Sequence, residues 1–167
     1  GESATGAPAP LTPAEAAAEA EKFARFRALA NTRGNPERGR ELFTTICLSC
    51  HAFAGKGGAI GPPLDGVANT GVDTMLRNIL TPSAAMEPGY RTYRVTLRDG
   101  AVVDGFFVGE EADAIVVRVP GASDRRVPRA DVRSAGFLRR SIMPEGLLEA
   151  LPAEQVSDLF AHLKSLR

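Results

Sequence analysis

Cys47-Leu48-Ser49-Cys50-His51 is the stretch on which the reading of this chain turns, and it contains the only two cysteines among 167 residues. Cys-x-x-Cys-His is the attachment pattern for c-type haem. Two thiols one helical turn apart can add to two vinyl groups, and the next residue brings an imidazole to the iron as proximal ligand. Three other readings use the same residues. A redox dithiol of thioredoxin type sits near a βαβ pattern, which this chain lacks. A closed zinc site needs further ligands, and beside the cysteines the chain offers only the histidines His51 and His162. A structural disulfide stays open.

Upstream of the motif, Gly34-Asn35-Pro36 predicts a helix start, with Asn35 as cap and Pro36 at the first position, where its missing N–H costs nothing. Gly39, Leu42, Phe43, Ile46, Cys47 and Cys50 then recur at helical spacing, so both cysteines face inward. Gly39, lacking a side chain, would let a second helix approach, and the terminal helix with Phe160 is the obvious visitor. Its own stripe is Val156, Leu159, Phe160 and Leu163, after Pro152. Downstream, a Gly- and Pro-rich loop over 55–66 carries Gly61-Pro62-Pro63-Leu64, where a carbonyl can accept a hydrogen bond from the His51 Nδ1–H and fix the ring. A short helix over about 72–80 is stopped by Thr81-Pro82. At the front, residues 1–11 read as a disordered lead-in. Thr12 and Glu15 then form a capping box with Pro13 at the first helical position, opening a helix over 13–30 with Phe23, Phe26 and Leu29 on one face.

Between about Tyr90 and Arg139 the period changes from helical to alternating. Tyr93, Val95 and Leu97 share one face, and Asp99-Gly100 is a tight-hairpin signal. Runs over 101–109 and 114–119 follow in the same style, with shorter pieces near 125–128 and 132–138. They predict a small antiparallel sheet or barrel that projects from the helical part and is separable from it. From Arg91 to Arg140 there are ten arginines against seven acids. Tyr93 and Phe106 or Phe107 are expected on the buried face, which leaves no exposed stacking platform for RNA. A solvated arginine face is the plain reading, and docking to an acidic redox partner is the other.

Composition sets the outer bounds. Hydrophobic residues are 44% and charged residues 24%, and 20 Lys plus Arg balance 20 Asp plus Glu. No global field draws the chain to nucleic acid or anionic lipid, and no apolar run reaches the roughly 18 residues of a membrane span. Aromatics are 6% with no Trp, so a bulky cofactor would help fill the core. There is no internal repeat. Gly1-Glu2-Ser3-Ala4 lacks the build of a signal peptide.

Taken together, Gly39-Arg-Glu-Leu-Phe43, Cys47–His51, Gly61-Pro62-Pro63-Leu64, Leu76-Arg-Asn-Ile-Leu-Thr-Pro82, Met143-Pro144 and the terminal helix resemble a class I c-type cytochrome. Pro88-Gly-Tyr90, Tyr93-Arg-Val-Thr-Leu-Arg-Asp-Gly100 and Ser141-Ile-Met-Pro-Glu-Gly-Leu147 are similar, more narrowly, to the planctomycete-type haem-binding domain family. The resemblance covers about 35–166 and leaves the leading helix unexplained. It implies a mainly α chain: a class I cytochrome c fold with the small sheet or barrel inserted before the axial-Met loop, plus an N-terminal helix. Residues 1–33 are then an extension, 34–89 with 140–167 the cytochrome core, and 90–139 the inserted unit.

The implied cofactor is haem c, covalent through Cys47 and Cys50, with iron held by His51 and Met143 and the pocket walled by Pro62 and Leu64. Other candidates for the second axial position are Met75, a core filler in its helix, Met86, in a loop before the sheet, and His162, beside the terminal apolar stripe. Met143 lies before Pro144, where the cytochrome family supplies its ligand. Tyr90 or Arg91 is a candidate partner for a haem propionate. The implied function is single-electron transfer, from a dehydrogenase donor to a cytochrome or oxidase acceptor, with the protein as carrier rather than enzyme. A haem-based sensor or catalyst with a labile sixth position is the alternative. Attachment of this kind occurs outside the bacterial cytoplasm, so a periplasmic or otherwise extracytoplasmic home and an export signal upstream of Gly1 are expected.

Overall fold

The structure, a computed structural model, describes residues 10–84 and 90–167. Residues 1–9 of the lead-in expected over 1–11, Met86 and Pro88 lie outside them. Helix α1 (Pro13–Asn31) starts on the predicted capping box: Thr12 Oγ1 accepts from the Glu15 N–H and the Glu15 carboxylate accepts from the Thr12 N–H. Helix α2 (Pro36–Ile46) starts on Asn35, whose side-chain oxygen takes the Glu37 and Arg38 N–H groups. After the cysteine motif come a two-strand ribbon, β1 (Ala52–Phe53) and β2 (Lys56–Gly57), and helix α3 (Val72–Leu80). Five strands follow: β3 (Arg91–Leu97), β4 (Val102–Glu110), β5 (Ala114–Arg118), β6 (Asp124–Pro128) and β7 (Val132–Ser141). Helix α4 (Ala153–Leu163) ends the fold.

The helices share one apolar core. Phe26 and Ala30 of α1, Phe43 of α2, Leu76 and Leu80 of α3, and Val156, Leu159 and Phe160 of α4 are all buried. Each of these side chains larger than Ala30 contributes on the order of 1.5–3 kcal/mol by leaving water. The crossing of α2 over α4 depends on Gly39, because a Cβ there would run into the Asp158 carbonyl of α4. Helix α4 does pack on Gly39, as the sequence suggested, but with Asp158 and His162 at the contact while Phe160 faces the core. The buried Asp158 carboxylate accepts the Asn35 N–H at 2.7 Å and the Arg38 Nε–H at 3.0 Å. These bonds, the backbone N–H first, hold its pKa below the usual carboxylate value against the opposing effect of burial.

The mainly α class does not hold. Beside four α-helices stands a five-stranded antiparallel sheet in the order β6-β5-β4-β3-β7, so the chain is α plus β. Two strands are long, nine residues in β4 and ten in β7, and β7 runs on through Arg139 and Arg140 to Ser141, past the short piece expected near 132–138. The sheet also has its own core of Tyr93, Val95, Val103, Ile115, Val117 and Val127. It is a layer with two working faces. The order is linear, and among the described residues β6 and β7 do not pair, so the sheet does not close into a barrel.

Aromatic placement departs from expectation in the same region. Tyr93 is buried, but Phe107 is 39% exposed and Phe137 46% exposed. Phe106 turns to the other face, since adjacent strand residues point to opposite sides.

Strand β7 reaches the helical layer. Its last residue, Ser141, pairs with Arg91, donates its N–H to Ser83 Oγ at 3.2 Å and accepts the Met143 N–H on its own hydroxyl at 3.1 Å. The segment that holds Met143 is therefore anchored to the sheet.

Candidate functional site

The site begins where α2 ends. Cys47 caps that helix, its N–H donating to the Phe43 carbonyl at 2.8 Å, and the chain makes one more helical turn as Cys50 and His51 donate their N–H groups to the Cys47 carbonyl. This turn puts the two thiols on one side and His51 directly after them. Neither cysteine is disulfide-bonded. Burial, and secondarily the neighbouring Cys50, pushes the Cys47 thiol up to about 12. A redox dithiol needs a lowered thiol pKa, so this environment opposes that reading. Among the described residues no group of three or more His, Cys, Asp or Glu could hold a metal, which removes support for zinc.

His51 is fixed by the loop that follows it. Its Nδ1 lies 2.7 Å from the Pro62 carbonyl oxygen. A carbonyl can only accept, so Nδ1 carries the proton and Nε2 keeps its lone pair for a metal. Gly61 makes the arrangement possible, because a Cβ there would overlap the His51 ring. The loop is strapped to the motif by the Ile60 and Gly61 N–H groups, which donate to the Cys50 carbonyl at 2.9 and 2.7 Å, and by the Leu64 N–H, which donates to Ala52.

Cys47, Cys50 and His51 line one pocket with Pro62, Leu64 and Met143. The residues fit a haem: two thiols one turn apart, an imidazole with a free Nε2, a thioether in the same cavity wall, and apolar side chains lining the rest. Met75 and Ile79 of α3 and Leu163 of α4 complete the helical side.

The sheet supplies the remaining wall. Tyr90 and Phe106 line the pocket with their rings 5.6 Å apart and nearly perpendicular, and the segment after β7 adds Ile142 and Pro144. The sheet thus shapes the cavity, which corrects the expectation of a separable, projecting unit. Sequence reasoning missed this role of Phe106. The signal was available, because Phe106 and Phe107 are neighbours in a strand and only one of them can face the sheet's own core.

The other candidates separate. Met75 is buried and lines the pocket, so two described methionines, Met75 and Met143, reach it. Met86 lies outside the described residues. His162 is not part of the wall; its ring packs on Phe43 at 5.0 Å, and burial, with Arg40 nearby, lowers its pKa. Tyr90 lines the cavity, whereas Arg91 is exposed with its guanidinium 5.8 Å from the centre of the Phe137 ring.

No helix among the described residues is long and apolar enough to cross a membrane. Comparison with curated proteins gives no match. The cytochrome c family model matches residues 36–116, from the first residue of α2 into β5, and with the Cys47–His51 geometry this supports a c-type cytochrome.

Proposed function

We propose that this chain is an extracytoplasmic electron carrier in which Cys47 and Cys50 would hold haem c and His51 and Met143 would bind its iron. The observation that carries the reading is the His51 Nδ1–Pro62 bond at 2.7 Å in a cavity shared by both cysteines and Met143. When bound, the haem supplies a one-electron iron couple. The chain's residues do the rest. Cys47 and Cys50 tether the ring, the Pro62 carbonyl holds the His51 imidazole in one tautomer and orientation, and Pro62, Leu64 and Ile79 keep water from the cavity. Met143 offers a soft thioether whose donor strength favours reduced iron. Met75, held within α3, fills the core. The family resemblance supports a dehydrogenase as donor and a cytochrome or oxidase as acceptor.

The test is the absorption spectrum of holo-protein carrying Met143→Ala or Met75→Ala. Loss of the weak red iron–sulfur band, together with carbon monoxide binding, in the Met143 variant alone supports the reading. The same change in the Met75 variant alone would move the ligand to α3.

A further inference from the structure

The face of the sheet opposite the pocket carries an exposed aromatic cluster that the electron-carrier reading does not use. Tyr93, Phe107 and Phe137 pack ring to ring, with centroids 5.0, 4.9 and 6.1 Å apart. Phe107 and Phe137 belong to the core side of the sheet by register, Phe107 opposite Val117 and Phe137 opposite Tyr93, yet among the described residues both stay exposed. Aromatics left in water at the end of a well-formed core mark contact surfaces rather than packing errors.

The charges around the cluster say what covers it. Five of the unit's seven acids are engaged by arginine side chains: Asp104 by Arg94, Asp124 by Arg118, Glu111 and Asp113 by Arg126, and Glu110 by Arg129. Arg91, stacked over Phe137, and Arg139, two residues beyond Phe137 in β7, are exposed and have no carboxylate within 4.0 Å among the described residues. Arg91 thus leaves a positive charge at the cluster, with Arg139 further along the same strand, and arginine beside aromatic rings is the composition of a binding hot spot.

We infer that this aromatic–arginine face is the docking surface for an acidic redox-partner protein. The inference rests on the electron-carrier reading above and gives it a direction. Phe107 is the docking residue and its neighbour Phe106 lines the pocket, so a partner seated here stands one sheet layer from the haem site. Electrons then pass through the strand pair β3–β4, by way of Phe106 and Tyr90, instead of requiring the partner to cover the pocket mouth.

The experiment uses ferrous holo-protein and plastocyanin, an acidic blue-copper protein, as the probe. One electron leaves the haem iron, Fe(II) becoming Fe(III), and Cu(II) becomes Cu(I). The second-order rate constant of the unaltered protein should fall steeply as salt rises. Phe137→Ser and the pair Arg91→Glu with Arg139→Glu should each lower it at least fivefold at low salt and flatten its salt dependence. Oxidation by neutral p-benzoquinone and the haem spectrum should stay unchanged in the same variants. Unchanged rates with plastocyanin, with spectrum and quinone reaction intact, would overturn the docking surface and leave the carrier reading standing. A protein that binds no haem, or whose haem reacts with neither oxidant, would overturn both. Single-stranded RNA that binds this face and loses affinity in the variants, while plastocyanin rates do not move, would assign the face to nucleic acid and overturn the inference.

Discussion

At the scale of single residues, the chain spends its few special side chains on position. Gly61 is there because the His51 ring occupies the space of a Cβ, and Pro62 is there to present a carbonyl to Nδ1. Gly61→Ala should therefore tilt the imidazole and weaken iron ligation on the order of 10–100-fold, the usual cost of losing an orienting partner. Ferric spectra showing a partly high-spin haem would register it. Asp158 does comparable work in the scaffold, tying the start of α2 to α4. Its pKa is depressed in the folded state, so the stability it contributes is present above the unfolded value of about 3.9 and is lost as pH falls through the lower folded value. Asp158→Asn should cost about 1.5–3 kcal/mol near neutrality, and the gap in Tm between the two proteins should narrow below about pH 4.

At the scale of elements, the most exacting contact is the crossing of α2 and α4 at Gly39. A valine there would meet the Asp158 carbonyl and force the helices apart, a loss of about 1–3 kcal/mol or more by overpacking, visible as a lower Tm. Much of this layer was legible beforehand. The capping box at Thr12, the Asn35 cap, helix α3 over 72–80 and the stripe of α4 all follow from local rules, and so does the Asp99-Gly100 hairpin between β3 and β4. The sheet's weight was not. Strand β7 continues through Leu138, Arg139 and Arg140 to Ser141, with register shifts against β3 that break the alternation on which a strand is recognised. Basic residues at such irregular positions look like a loop, so the pattern predicts a strand only to about 138, while the mainly α class followed from the cytochrome resemblance, which makes the sheet a small insertion. The pocket wall was half legible: the motif announces Cys47, Cys50 and His51, while Phe106 reaches the cavity only through pairing of strands far from the motif in sequence.

At the scale of the whole molecule, two cores meet at one cavity. The helical core holds the cysteine motif and the sheet carries the Met143 segment on the end of β7. Replacing residues 90–139 with a short linker should leave the thiols and His51 in place but remove the Tyr90–Phe106 wall and the anchor of Met143. Haem would still attach, the red iron–sulfur band would be lost, and carbon monoxide would bind. A shortened protein that keeps the band would show the sheet to be dispensable to the pocket. Beneath all of this lies covalent attachment of haem at Cys47 and Cys50, and the direct measurement is the intact mass of protein expressed with a working haem-attachment system. The account predicts a mass above the bare chain by one haem, unchanged after acid–organic extraction and absent when both cysteines are replaced by serine. A chain that emerges from such expression at its unmodified mass would contradict it.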